Sequence, residues 1–88
     1  MYTVEQFTKD NAEFISERTF QIREAVLETL QIQGFHQSTY SFDNDIPIGS
    51  IYIVLSKIET YFKELGWLAI SQKLDNEDVV FKLTVRPR

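Results

Sequence analysis

The chain holds one histidine, His36, and no cysteine. Thiolate nucleophiles, disulfides and cysteine-built zinc sites are therefore excluded, and a metal centre would have to be assembled from carboxylates with at most one imidazole. So small a donor set predicts that His36 is an ordinary histidine at the start of a strand, and that the chain carries no metal or other cofactor. Asp43, Asn44 and Asp45 have the opening chemistry of a calcium loop. In that register, however, the glycine of the sixth position and the bidentate glutamate of the twelfth are both missing, and turn chemistry accounts for the three residues. Glycine-rich phosphate loops and a Gly-x-Ser-x-Gly elbow are absent from the sequence. Catalysis by paired carboxylates needs one acid desolvated in a pocket, whereas the patterning puts every Asp and Glu on a polar helix face or in a turn. No enzyme is expected.

The remaining chemistry is that of surfaces. Glu13, Glu17, Glu24 and Glu28 fall within an arc of about 60° at the helical advance per residue, forming a narrow acidic stripe. Phe20 lies inside that stripe, and Ile53 points away from the apolar arc of its own helix, on the side of Lys57 and Thr60. Two large apolar residues out of pattern mark where a partner or a second subunit would dock. An acidic stripe of this kind engages a basic partner or imitates a row of nucleic-acid phosphates.

Elements that position these residues follow from periodicity. Thr3 with Gln6 forms one capping box and Asp10 with Glu13 a second, so the first helix starts at Thr3 or restarts near Asn11, with a kink expected there. Val4, Phe7, Phe14, Ile15, Ile22, Ala25, Val26, Leu30 and Ile32 share one broad arc, predicting an amphipathic helix over residues 4–32. Gly34 is placed to end it in the left-handed conformation, with Phe35 packing back on Leu30. A short edge strand is predicted at 36–42, followed by a turn through Asp43, Asn44, Asp45 and Pro47.

Ile48, Ile51, Tyr52, Val54, Leu55, Ile58, Tyr61, Phe62 and Leu65 cover about half the circumference of a second helix, a width that implies burial on two sides. Ser50 is its expected N-cap, and Gly66 with Trp67 its stop signal, Phe62 being the contact for Trp67. From Trp67 the period changes to two, giving strands at 67–73 and 79–85 joined by the polar hairpin loop Leu74–Asp78. The predicted fold is α+β: two helices packed on one face of a three-stranded antiparallel sheet, in the order helix, strand, helix, strand, strand, with a C-terminal β-hairpin. Ile51, Leu55, Phe62, Val79, Phe81, Leu83 and Val85 are the expected core.

The stretch from Ile58 to Val85, IETYFKELGWLAISQKLDNEDVVFKLTV, resembles the recognition-helix-plus-wing segment of winged-helix regulators. That resemblance covers about a third of the chain. It implies a helix presenting Ser56, Lys57, Thr60, Lys63 and Glu64 to a DNA groove, and a wing contributing Lys73, Lys82, Arg86 and Arg88. Against it stand the small number of cations, the acidic loop Asp75, Asn76, Glu77 and Asp78, and the lack of room for a scaffold helix between Gly34 and Ser50.

Length and composition agree with one small soluble domain of 88 residues, in which 43% apolar residues, including seven Phe, four Tyr and one Trp, supply a modest core. The net charge of −4 is uneven: residues 1–44 carry seven acids against three bases, and residues 45–88 six of each. Nucleic acid and anionic membrane are thereby disfavoured as partners. Neither a signal-peptide pattern nor a run of about 18 apolar residues is present, so a cytoplasmic location is expected. The expected function is that of an acidic, non-enzymatic binding protein that regulates or inhibits a protein partner, with self-association of the first helix as a further expectation. Small acidic chains of this sort are common among phage accessory proteins. A winged-helix-like nucleic-acid binder and a small assembly or structural subunit are the alternatives.

Overall fold

Thr3 opens the structure as the sequence requires: its hydroxyl accepts from the Gln6 N–H, and the Gln6 side chain accepts from the Thr3 N–H. The computed structural model describes residues 1–74 and 79–88, so the acidic part of the predicted hairpin loop, residues 75–78, lies outside the described residues. Six elements follow in order: α1 (Val4–Asp10), α2 (Ala12–Gln33), β1 (His36–Phe42), α3 (Ile48–Glu64), β2 (Trp67–Lys73) and β3 (Val79–Pro87). The class is α+β, with three helices rather than two.

The extra helix arises because the chain breaks at Asn11. The Asn11 side-chain amide donates to the Phe7 carbonyl at 2.9 Å, closing the last turn of α1, while its own backbone sits at φ −117°, ψ 21°. The second predicted capping box does not form, since Asn11 and not Asp10 precedes α2 and makes no side-chain cap, and the Asp10 carboxylate instead accepts from the Tyr2 hydroxyl at 2.9 Å. Phe7 then lies against Gly49 at the start of α3. A Cβ on Gly49 would stand 3.0 Å from the Phe7 Cζ, so the absence of a side chain is what lets α1 approach.

Ile15, Ile22, Val26 and Leu30 form the buried stripe of α2, with Phe14 and Leu27 packed beside them. Val4, Ala25 and Ile32 are exposed, contrary to the predicted arc; the core-facing stripe is narrower than the apolar pattern. Gly34 does end α2 in the left-handed region, at φ 68°, donating its N–H to the Leu30 carbonyl at 2.8 Å. Phe35, just beyond it, remains 40% exposed.

A turn at Asp43–Ile46, closed by the Ile46 N–H donating to the Asp43 carbonyl, leads into α3. Pro47, not Ser50, stands at the N-cap, and the Ser50 N–H already donates to the Pro47 carbonyl at 2.9 Å. Proline fixes the φ needed to enter the helix three residues earlier than the sequence suggested. Ser50 is consequently buried within the first turn. Ile51, Val54, Leu55, Ile58 and Phe62 are buried between α2 on one side and the sheet on the other, which is the two-sided burial that the wide stripe implied.

Gly66, at φ 96°, carries the chain into β2. Trp67 is half-buried against the core, while the edge-on aromatic partner of Phe62 is Tyr61, with ring centroids 5.0 Å apart. The sheet has the order β1-β3-β2, antiparallel throughout, with Tyr40 opposite Phe81 and Ser71 opposite Leu83. Phe81, Leu83 and Val85 project from the central strand into the core and Val79 is half-buried beside them. All helices lie on that face. The opposite face presents Gln37, Thr39 and Ser41 from β1, Leu68, Ile70 and Gln72 from β2, and Val80, Lys82, Thr84 and Arg86 from β3.

Candidate interaction surface

Glu13, Glu17, Glu24 and Glu28 all stand exposed on the outer side of α2, opposite the buried stripe. Phe20 lies among them and is 55% exposed. The Arg23 guanidinium lies 5.7 Å from the Phe20 ring centre and 5.0 Å from that of Tyr61 on α3. Such cation–π contacts contribute about 0.5–1 kcal/mol each at exposed sites, enough to bias a surface aromatic toward one orientation. A shallow groove beside Phe20 is lined by Ile15, Ser16, Thr19, Arg23 and Lys57. Phe20 is therefore an oriented aromatic at the lip of a groove, flanked by carboxylates.

Arg18 does similar work on the inner side, 5.7 Å from the Phe14 ring and 5.5 Å from that of Phe42. Sequence patterning had given neither arginine a role. The i, i+4 spacing of Phe14 and Arg18 and the i, i+3 spacing of Phe20 and Arg23 were the available signals.

Ile53 occupies a different place. It is half-buried and packs against the core, forming a second groove with Val4, Thr8, Tyr52, Ser56 and Lys57 where α1 crosses α3. Lys57 thus borders both grooves and links the surroundings of Phe20 to those of Ile53.

The cations assigned to the winged-helix reading are dispersed. Lys63 pairs with Glu59 on its own helix at 3.6 Å; Lys82 and Arg86 lie on the uncovered sheet face; Lys73 ends β2; Arg88 is the exposed last residue. The Arg86 guanidinium donates to the Pro87 carbonyl. Helix, turn and hairpin follow one another as the resemblance implies, but only the turn at residues 43–47 separates β1 from α3.

Two polar constellations escaped the sequence reading. Glu59 is not a solvated surface acid as expected: its carboxylate accepts the main-chain N–H and the hydroxyl of Ser71, joining α3 to β2. His36 is buried, with Nε2 2.9 Å from the Tyr40 hydroxyl on the same face of β1. Burial pushes the His36 pKa below its ordinary value and the Tyr40 pKa above its own, so the neutral forms of both are favoured. The first joins α3 to β2, the second lies within β1, and neither opens on a groove described above.

Among the described residues no group of three or more His, Asp or Glu is placed to hold a metal ion, and no helix is long and apolar enough to cross a membrane. No family model, curated protein or solved structure matches this chain.

Proposed function

We propose that this chain is a non-enzymatic binding protein that regulates or inhibits a protein partner through the outer face of α2. The observation that carries this reading is Phe20: a large aromatic, 55% exposed, with exposed glutamates along one side and the Arg23 guanidinium against its ring on the other. Aromatic anchors that are already ordered dominate interface energetics because they bury large area at small entropic cost. Surrounding carboxylates steer a basic surface toward the anchor and fix its register. The complementary partner is a protein presenting an apolar recess bordered by Lys or Arg.

The test is affinity capture with the wild type beside Phe20→Ser, followed by mass spectrometry and a binding titration at two salt concentrations. Support would be a basic protein retained by the wild type, weakened about 30-fold or more by Phe20→Ser as expected of a hot spot, and weakened further by salt. Equal retention by wild type and by a normally folded Phe20→Ser variant overturns the reading.

A second reading, nucleic-acid binding, rests on the helix-to-hairpin unit and on Lys82 and Arg86 standing on a sheet face that carries no acid among the described residues. It requires DNA affinity that falls steeply with salt and that drops on charge reversal at Lys82 and Arg86 on the sheet face, and at Lys57 and Lys63 on the helix. Undetectable affinity at low salt removes it.

A further inference from the structure

The two edges of the sheet are unlike. On β2 the Glu59 carboxylate occupies the main-chain N–H of Ser71, so a helix side chain has taken up part of that edge. On β1 the backbone partners among the described residues are those of β3. Every second residue of an edge strand directs its N–H and C=O away from the sheet, where they template another strand unless something blocks them.

The usual blocks are missing from β1. His36–Phe42 contains no Lys, no acid, no proline and no glycine, and its register with β3 runs without a bulge across seven residues. It is also the one strand without a formal charge, in a chain whose net charge is −4. Two copies each carrying a net charge of −4 repel one another, and β1 adds no charge to that repulsion.

From these features we infer that β1 is a self-association edge, at which two copies pair antiparallel about Thr39 to form a continuous six-stranded sheet. Pairing about a two-fold axis normal to the sheet sets Thr39 against Thr39 of the second copy, and Gln37 against its Ser41. These are neutral, hydrogen-bonding cross-strand neighbours on the uncovered face. Asp43, just past the strand, falls opposite Phe35 of the second copy rather than opposite another acid, and the 40% exposed Phe35 gains a neighbour. Pairing through α2 would instead set glutamates against glutamates. Association through β1 leaves the Phe20 surface available to a partner and does not depend on it.

Charge complementation tests both the edge and the register. Thr39 is exposed on the outer face and stands opposite Lys82 of its own copy, so Thr39→Glu gains a neighbour of opposite charge and Thr39→Lys one of like charge; circular dichroism checks that both retain the fold. Sedimentation equilibrium should show a concentration-dependent dimer for the wild type. Each single variant should dissociate about fivefold or more readily, because like charges then face each other across the axis. An equimolar mixture of the two should restore the dimer. A second pair of variants, Gln37→Lys with Ser41→Lys and Gln37→Lys with Ser41→Glu, should respectively weaken and strengthen it. The inference is overturned if the wild type is monomeric at its highest soluble concentration, if the like-charged variants dimerise undiminished, or if the mixture fails to restore the dimer.

Discussion

The carboxylate of Glu59 accepts both the main-chain N–H and the hydroxyl of Ser71, twelve residues on, and so pins the most buried helix to an edge strand. Hydrogen bonds to an ionised acceptor contribute about 1.5–3 kcal/mol net, and removing the acceptor leaves a half-buried N–H unpaired. Glu59→Ala is therefore expected to lower unfolding stability by about 2 kcal/mol, and Glu59→Gln, which keeps an acceptor, by about half as much. Lys63→Ala should cost under about 1 kcal/mol, since that ion pair is half-exposed. Urea denaturation with unchanged m-values measures all three. A loss for Lys63→Ala equal to that for Glu59→Ala would reassign the stabilisation to the ion pair.

Phe7 and Gly49 give a prediction that separates docking from helix propensity. Alanine is the better helix former by about 1 kcal/mol, so in isolation Gly49→Ala would stabilise α3. The new Cβ, however, would stand 3.0 Å from the Phe7 Cζ, tighter than an ordinary carbon contact, so the ring must give by a few tenths of an ångström and its seat on α3 is loosened. In the wild-type background the substitution should release α1, seen as faster amide exchange over residues 4–10 with the remainder protected. In a Phe7→Ala background the clash is gone, and the same substitution should raise stability by up to about 1 kcal/mol. A double-mutant cycle showing no coupling between the two positions would mean that the ring does not rest on Gly49 in solution.

What the sequence made legible was governed by period and by local stop signals. The wide stripe of α3, the two-residue alternation of β3 and the left-handed glycines at 34 and 66 each act within a few residues, and each gave its element correctly. Errors arose where two local signals competed. Asp10 could cap α2 or bind elsewhere, and the Tyr2 hydroxyl takes it. Ser50 could cap α3, but Pro47 had already set the backbone. Ile32 and Phe35 satisfy the apolar pattern yet lie at a helix end that overruns the core, leaving Ile32 77% exposed. The Glu59–Ser71 link was illegible because its partners are distant in sequence and of ordinary type. As for the candidate site, the acidic stripe and Phe20 followed from helical phase, but the arginine that orients Phe20 did not.

Ser50 converts one of those errors into a measurement. It is fully buried, and its hydroxyl finds no hydrogen-bond partner among the described residues. An N-cap serine replaced by alanine costs about 1 kcal/mol. A buried, unpaired hydroxyl instead carries a desolvation penalty of about 1–3 kcal/mol, which alanine removes. Ser50→Ala should therefore leave stability unchanged or raise it. Pro47→Ala should lower it, by releasing the conformation that starts α3. A destabilised Ser50→Ala beside a neutral Pro47→Ala would restore Ser50 as the cap.

His36 gives the fold a dependence on acidity whose sign is fixed by its burial. Desolvation lowers its pKa in the folded chain below the ordinary value of 6.5, so near that pH the unfolded chain binds the proton more readily. The contribution to stability is complete above about 6.5 and declines as pH falls from there toward the lowered folded value. His36→Asn, which keeps a polar side chain against the Tyr40 hydroxyl, should flatten the stability curve over this window relative to the wild type. It should leave the steeper losses at lower pH, which belong to the carboxylates, in place. Tyr40→Phe should cost about 1 kcal/mol through the lost hydrogen bond while preserving the slope, because burial and not that bond causes the shift. Denaturant midpoints recorded from pH 7.5 to 5 test this, and parallel curves for the wild type and His36→Asn would show that the imidazole is solvated in the folded protein.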